Sequence, residues 1–244
     1  MVFAAGMGTR LKPITDHCPK ALVEVGGKPM LEWVILRLKE AGADEIVVNT
    51  HHFSQMVADF LSANSNFGCT IHISDESGLL LDTGGGILHA RQWLDGGEPF
   101  IVHNADIMSD LDLRGMYDHH IASHADATLL VAQRQTSRYL LLDRDNKLQG
   151  WINTATGETR PEGFVYDTER CHPMAFGGIH VISPSIFPSL ANFSESEVFS
   201  IIPYYLSVCN SLAITGYAPD KPYRWYDIGK PATLDEARNV FGNG

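Results

Sequence analysis

The chain of 244 residues carries 29 acidic against 18 basic side chains, a formal net charge of −11, with 44% hydrophobic and 19% charged residues. That length suits one large domain with a substantial core. The acidic balance excludes a general nucleic-acid binder, which needs a basic footprint, so an anionic ligand must be met by local positive charge and metal ions.

From the N-terminus, residues 2–5 (VFAA) read as a short apolar strand leading into a turn where Gly6 and Gly8 let the backbone bend and direct N–H groups outward. A first strand of about five residues is short for a central strand, which leaves open a start codon slightly upstream or a trimmed chain. Arg10 and Lys20 add fixed positive charge where a polyphosphate held by the turn would lie. Leu11 stands where a dinucleotide fingerprint needs its third glycine, and no G-x-x-x-x-G-K-[ST] occurs anywhere in the chain. On these residues alone the turn is either a phosphate cradle or a tight strand-to-helix turn.

Leu31, Val34, Ile35, Leu38 and Ala41 follow a helical period closed by Gly42, and 45–49 (EIVVN) reads as a strand. Met56, Val57, Phe60 and Leu61 mark a second helix, and 69–74 (CTIHIS) alternates as a strand. Asp82-Thr83-Gly84-Gly85-Gly86 lies between that strand and a helix marked by Ile87, Ala90, Arg91 and Leu94. Three consecutive glycines cost conformational entropy, so the run predicts close backbone approach to a base or ribose edge, or a helix start facing anionic oxygens; a surface turn is the alternative. The strand at 99–103 (PFIVH) delivers His103-Asn104-Ala105-Asp106, followed by a helix at 111–123 and a strand at 127–131. Strands separated by helices imply a doubly wound, mostly parallel α/β sheet with the ligand at the carboxyl ends of the strands.

The rhythm changes after residue 132. Residues 139–142 and 148–152 flank a hairpin turn, 153–173 are polar and turn-rich, and 174–182 read as a strand containing Gly177-Gly178. A helix at 198–206, a strand at 213–217 and a closing helix at 232–240 complete the chain, with Trp225-Tyr226-Asp227-Ile228-Gly229 between the last two. No linker or repeat interrupts it, so residues 1–244 are expected to form a single domain.

Asp106, leaving a central strand, and Asp227, from a distant segment, are the donors a hard cation takes, since magnesium binds one or two carboxylates and completes its octahedron with water and phosphate oxygens. Either aspartate alone would equally serve as a turn or capping residue. Asp110-Leu111-Asp112 spells the D-x-D of metal-dependent glycosyltransferases, but it follows Ser109 in a loop entering a helix. The pairs His51-His52 and His119-His120 lack the i, i+4 spacing of a helical zinc site, and Lys28 before Pro29 reads as a loop lysine at a helix start. Cys18, Cys69, Cys171 and Cys209 are scattered and read as free thiols. No apolar run approaches the ~20 residues of a membrane span and no signal peptide precedes Gly6, so a cytoplasmic location without membrane contact is expected.

The string G-x-G-T-R-L-x-P-x-T from Gly6 to Thr15, followed by Pro19-Lys20, resembles the N-terminal signature of the sugar-1-phosphate nucleotidyltransferases. The resemblance implies a Rossmann-like fold with a small β-rich sugar-side subregion, a nucleotide-binding half at about 1–132 and a sugar-binding half at about 133–244. It implies catalytic roles for Arg10, Lys20, Asp106 and Asp227, with Mg²⁺ held by the two aspartates; alanine at position 105 stands where the family usually has glycine. Nucleotide contacts are implied for Ala4, Ala5, Gly6, Gly8, Thr9, Thr83, Gly84, Gly85 and Asn104. Sugar contacts are implied for Trp151, Asn153, Gly177 and Gly178, against the plainer readings of a hairpin-end tryptophan and a packing glycine pair. The substrates implied are a nucleoside triphosphate and a sugar 1-phosphate, handled by a monomer or small homo-oligomer.

Many relatives carry an E-K-P lysine that grips the sugar phosphate, and the comparable residues 148–157 have none. That absence, with D-T-G-G-G-I, makes the chain similar to N-acetylmuramate 1-phosphate uridylyltransferases of cell-wall recycling. Mannose- and heptose-1-phosphate guanylyltransferases share much of the pattern. A non-catalytic nucleotide-sugar sensor would be expected to lose an aspartate or Arg10, which this chain keeps.

Overall fold

The computed structural model describes residues 1–241, which pack as two compact units. The first comprises Met1–Leu81, Val102–Gly115 and the chain from Lys221; the second comprises Asp82–Ile101 and Met116–Asp220. In chain order the strands are β1 (Val2–Phe3), β2 (Glu24–Val25), β3 (Lys28–Pro29), β4 (Glu45–Thr50), β5 (Thr70–Asp75), β6 (Phe100–Asn104) and β7 (Ile107–Ser109), then β8 (Ala127–Ala132), β9 (Arg138–Leu142), β10 (Leu148–Asn153), β11 (Glu158–Arg160), β12 (His172–Ile182), β13 (Ile214–Tyr217) and β14 (Trp225–Asp227). The longer helices are α1 (Met30–Glu40), α2 (Ser54–Ala63), α3 (Asp82–His89), α5 (Leu113–Ser123), α7 (Ile201–Val208) and α8 (Pro231–Phe241), with single turns α4 (Arg91–Leu94) and α6 (Phe187–Leu190). No helix among the described residues is long and apolar enough to cross a membrane.

The first unit is built on parallel strands. β1 pairs with β4 on one side and β6 on the other, and β5 extends the sheet beyond β4. The chain therefore moves outward from β1 through β4 to β5, then returns to the opposite side of β1, and that reversal makes the carboxyl ends of β1 and β6 a topological switch point. α1 packs against β3 and β7, burying Met30, Leu31, Val34, Ile35 and Leu38, which recur at helical spacing on one face. It stops where the Gly42 amide returns to the Lys39 carbonyl and Gly42 takes a left-handed φ of 100°.

β1 is shorter than its apolar sequence implies. The ladder ends at Phe3, and the next amides, of Ala4 and Ala5, donate to the Asn49 side chain instead of to a strand. A single cluster of Leu11, Val23, Val25, Met30, Met108, Ile228, Leu234 and Ala237 forms an apolar floor, with Trp33, Tyr226 and Phe241 packed against it.

The second unit is β-rich and largely antiparallel. Its strands run β11, β10, β9, β12, β8, β13, with only the β13–β8 pair parallel. The 139–142/148–152 hairpin expected from sequence is the β9–β10 pair. The fold is thus α/β as the alternation predicted, with packing units that interleave along the chain; β8, read with the parallel strands, pairs antiparallel with β12.

Two buried histidines are held uncharged. Burial lowers the pKa of His103 to about 4, with Nδ1 2.9 Å from the Asn104 carbonyl oxygen. Burial likewise lowers that of His120 to about 4, where Nδ1 lies 2.8 Å from Thr128 Oγ1 and Nε2 2.9 Å from Ser183 Oγ. An unfolded histidine titrates near pH 6.5, so between there and 4 the unfolded chain binds more protons. The stability these neutral rings contribute is whole above pH 6.5 and falls as the pH drops toward 4. Denaturant titrations across that window should show a slope of about 1.4 kcal/mol per pH unit for the His103 ring, and His120→Gln should make the total slope shallower than wild type.

Candidate active site

The glycine turn sits at the carboxyl end of β1. Phe3 is paired with Asn49 of β4 and Asn104 of β6, so Ala4, Ala5 and Asn104 converge at one edge of the first unit. Ala4 and Ala5 are buried and their amides point inward to Asn49 Oδ1, at 2.8 and 3.3 Å. The amides of these two residues, where nucleotide contact is expected, thus have an internal acceptor. Gly6 and Thr9 are exposed, and a Cβ at Gly6 would meet nothing within 4 Å, which is the open approach a phosphate needs.

Gly8 has φ +63°, and a Cβ there would fall 2.8 Å from Thr15 Cγ2 and 3.0 Å from Lys20 Cβ. The Gly8 carbonyl accepts from the Leu11 amide at 2.9 Å and from Thr15 Oγ1 at 2.8 Å. Glycine at position 8 therefore lets the backbone lie against the root of Lys20 while the turn is tied to Thr15. Arg10 follows in a short 3₁₀ turn whose neighbour Leu11 is anchored in the apolar floor.

Asp106 and Asp227 are brought together by a small antiparallel pair. β14 lies against β7 with Asp227 opposite Ile107, and the Ile228 amide donates to the Asp106 carbonyl at 2.9 Å. Both carboxylates are half-buried. Lys20 Nζ forms an ion pair with Asp106 Oδ2, and the lysine side chain is only 11% exposed. A Cβ at Gly229 would fall 2.8 Å from Arg10 Nη2 and 2.9 Å from Asp227 Oδ1, so the guanidinium and the second carboxylate flank the same glycine. All four residues expected to be catalytic thus lie in the first unit, within one cluster of two cations and two carboxylates. The donor set suits a hard cation: Lys20 occupies one oxygen of Asp106, and a carboxylate has a second to offer.

The D-T-G-G-G motif is differently used from its sequence reading. It forms the first turn of α3, as the helix-start reading has it, but its amides are taken by internal partners. The Gly84 and Gly85 amides donate to the Phe199 carbonyl at 2.8 and 3.1 Å, and the Thr83 amide donates to Asp82 Oδ1 at 2.6 Å. Thr83 Oγ1 accepts from the Ile201 amide at 2.9 Å. A Cβ on Gly84 would fall 2.4 Å from two atoms of the Phe199 ring. The close backbone approach predicted for these glycines is real, but the approaching group is the 199–201 segment of the chain itself. The helix-start amides of Thr83, Gly84 and Gly85 therefore have internal acceptors, the Asp82 carboxylate for the first and the Phe199 carbonyl for the other two.

In the second unit, three of the four sugar-side candidates, Trp151, Asn153 and Gly177, also have internal neighbours. The Arg160 guanidinium lies over the Trp151 ring, 5.2 Å from its centroid. Asn153 Oδ1 accepts from the Ala155 amide at 3.0 Å, closing the turn after β10. A Cβ at Gly177 would fall 2.7 Å from Leu130 Cδ2, a packing constraint. Gly178 has φ +73° and lies where the β12–β8 register slips, so it forms a bulge that turns local backbone out of the ladder.

The D-x-D string is structural. Asp110 accepts from the Arg224 amide and Nε at 2.6 and 2.7 Å, and Asp112 Oδ1 accepts from the Gly115 amide at 2.8 Å at the start of α5. His51 Nδ1 lies 2.6 Å from the Glu76 carbonyl oxygen, and Lys28 pairs with Glu32 at 3.4 Å beside the Trp33 ring. Asn49 and Glu76, both buried, were not singled out by sequence, although a polar residue ending the apolar run EIVVN and an acid just beyond the next strand were visible signals.

Residues 1–241 match the family model described as nucleotidyl transferase. An N-acetylmuramate alpha-1-phosphate uridylyltransferase from Neisseria meningitidis serogroup B is 29% identical, over 99% of this chain and 97% of its own. One from Caulobacter vibrioides is 31% identical, over 95% and 91%. A solved UDP-glucose pyrophosphorylase complexed with UDP-glucose superposes with a TM-score of 0.77 at 18% identity, covering 98% of this chain and 96% of that one, which shows a shared fold.

Gly84→Ala tests the reading of the D-T-G-G-G turn. The added methyl has no space against Phe199, so the variant should lose about 1–3 kcal/mol in chemical denaturation, a typical overpacking cost.

Proposed function

The chain belongs to the nucleotidyl transferase family and is a sugar-1-phosphate nucleotidyltransferase, and on that premise we propose that it joins UTP to N-acetylmuramate 1-phosphate in the cytoplasm, as a step of cell-wall recycling. The observation that carries the reaction is the cluster of Arg10, Lys20, Asp106 and Asp227 at the switch point of the first unit's sheet. The choice of base and sugar is supported by the two uridylyltransferases named above, which align over at least 91% of their own length.

An oxygen of the sugar phosphate attacks the α-phosphorus of the triphosphate, a new P–O bond forms, and the bond to pyrophosphate breaks. The attacking oxygen is already ionised near neutral pH, so no general base is needed. The main tasks are alignment and neutralisation of mutually repelling phosphates. Arg10 presents a planar fork to the departing pyrophosphate. Lys20, held by its ion pair with Asp106, brings its ammonium to the α-phosphate or the incoming sugar phosphate. Asp106 and Asp227 would hold a magnesium ion, which would supply further charge neutralisation to the phosphates. Nucleotide contact by the turn falls to Gly6, Gly8, Thr9 and Asn104.

A pyrophosphate-release assay with magnesium, crossing the common nucleoside triphosphates with a panel of sugar 1-phosphates, tests the assignment. UTP with N-acetylmuramate 1-phosphate should dominate; preference for GTP with mannose 1-phosphate would overturn the base and sugar. Asp106→Ala and Asp227→Ala should each lower turnover by about 10²–10³-fold, and Lys20→Met by about 10²-fold, the range for groups that neutralise transition-state charge. Near wild-type turnover by Asp106→Ala at saturating magnesium would remove that aspartate from the reaction.

A further inference from the structure

We propose that the buried Asn49–Glu76 pair is a positioning device that sets the nucleotide turn for the triphosphate, an inference that rests on the nucleotidyl-transfer reading above. The two side chains are 3% and 2% exposed. Asn49 Oδ1 accepts from the Ala4 and Ala5 amides, and Asn49 Nδ2 donates to Glu76 Oε1 at 2.7 Å. Glu76 Oε2 accepts from the Leu81 amide at 3.1 Å. The glutamate is itself fixed by its backbone: its amide donates to the Thr50 carbonyl at 2.7 Å, and its carbonyl accepts from the Leu79 amide at 3.0 Å. The relay therefore runs from the residues just before Gly6, through two side chains, to the residue just before Asp82.

Its place in the fold gives it this role. The β1 ladder stops at Phe3, so the Asn49 carboxamide acts as the missing strand for the next two amides. Ala5 is one bond from Gly6, and any slip there moves the turn that carries Arg10 and Lys20. Misplacement of about 1 Å can cost 10²-fold in an alignment-dependent reaction. The pair is also directional. Asn49 must face its oxygen to the turn and its amide to Glu76, and Glu76 must accept at both oxygens, which a glutamine cannot do.

That directionality provides a test by exchange. Asn49→Asp sets two carboxylates against each other, and Glu76→Gln leaves a donor facing a donor. In the double variant Asn49→Asp/Glu76→Gln, the carboxylate now at position 49 accepts from the Ala4 and Ala5 amides and from the carboxamide now at position 76. The oxygen of that carboxamide accepts from the Leu81 amide. Every bond is restored, with only the middle one reversed.

The triphosphate affinity of each protein would be measured by calorimetry with UTP and magnesium, together with kcat, both KM values and the denaturation midpoint. Each single variant should weaken UTP binding and raise its KM about 10-fold or more while leaving the sugar-phosphate KM near wild type, and the double should return within about threefold. Single variants that bind UTP like wild type would overturn the proposal. So would a folded double variant no better than the worse single, or losses equal for both substrates and proportional to lost stability. Wild-type protein that bound UTP without releasing pyrophosphate would overturn the reading of the activity instead, and the relay would still be read from binding.

Discussion

The pairing of β7 with β14 is the constraint on which the site depends. It places Asp227 opposite Ile107 and runs the Ile228 amide into the Asp106 carbonyl, so two aspartates from distant parts of the chain are set side by side by backbone geometry alone. Two carboxylates at close range oppose each other electrostatically, and the structure answers with two cations drawn from one short stretch near the N-terminus. Lys20 is paired with Asp106, and Arg10 reaches Gly229 beside Asp227. A chain with net charge −11 thereby makes a locally balanced cluster suited to anionic substrates.

The apolar floor beneath this cluster explains why the pieces keep their register. Leu11 follows Arg10, Met108 lies two residues after Asp106, and Ile228 follows Asp227; all three are buried in the same hydrophobic cluster with residues of α1 and α8. Each of these segments is therefore anchored next to its candidate side chain. Burial of the neighbours restrains the polar residue, and the ion pair with Asp106 limits the rotamer freedom left to Lys20.

Glycines and polar side chains that look alike in the sequence divide into different jobs. Gly6 leaves open space, Gly8 lets the backbone lie against Lys20, and Gly84 admits the Phe199 ring. The D-x-D carboxylates are held by Arg224 and a helix-start amide, whereas Asp106 is held by a lysine side chain beside an aspartate from another segment. Chemical identity at a position was insufficient to tell these cases apart, because what separates them is the partner the rest of the chain brings up.

Local pattern alone determined the parallel α/β first unit, the helix spans of α1 and α2, the β9–β10 hairpin and the family, because these depend on residues close in sequence: apolar spacing, a glycine stop, and the G-x-G-T-R-L string. The resemblance carried by that string also picked out Arg10, Lys20, Asp106 and Asp227 as candidates, which the structure brings into one cluster. Only the tertiary structure decided that β1 ends at Phe3, that the Thr83–Gly85 amides serve internal acceptors at Asp82 and Phe199, and that Asn49 and Glu76 hold the turn from behind. The reason is physical. A buried amide takes the nearest acceptor in space, and no local pattern records which distant residue will supply it.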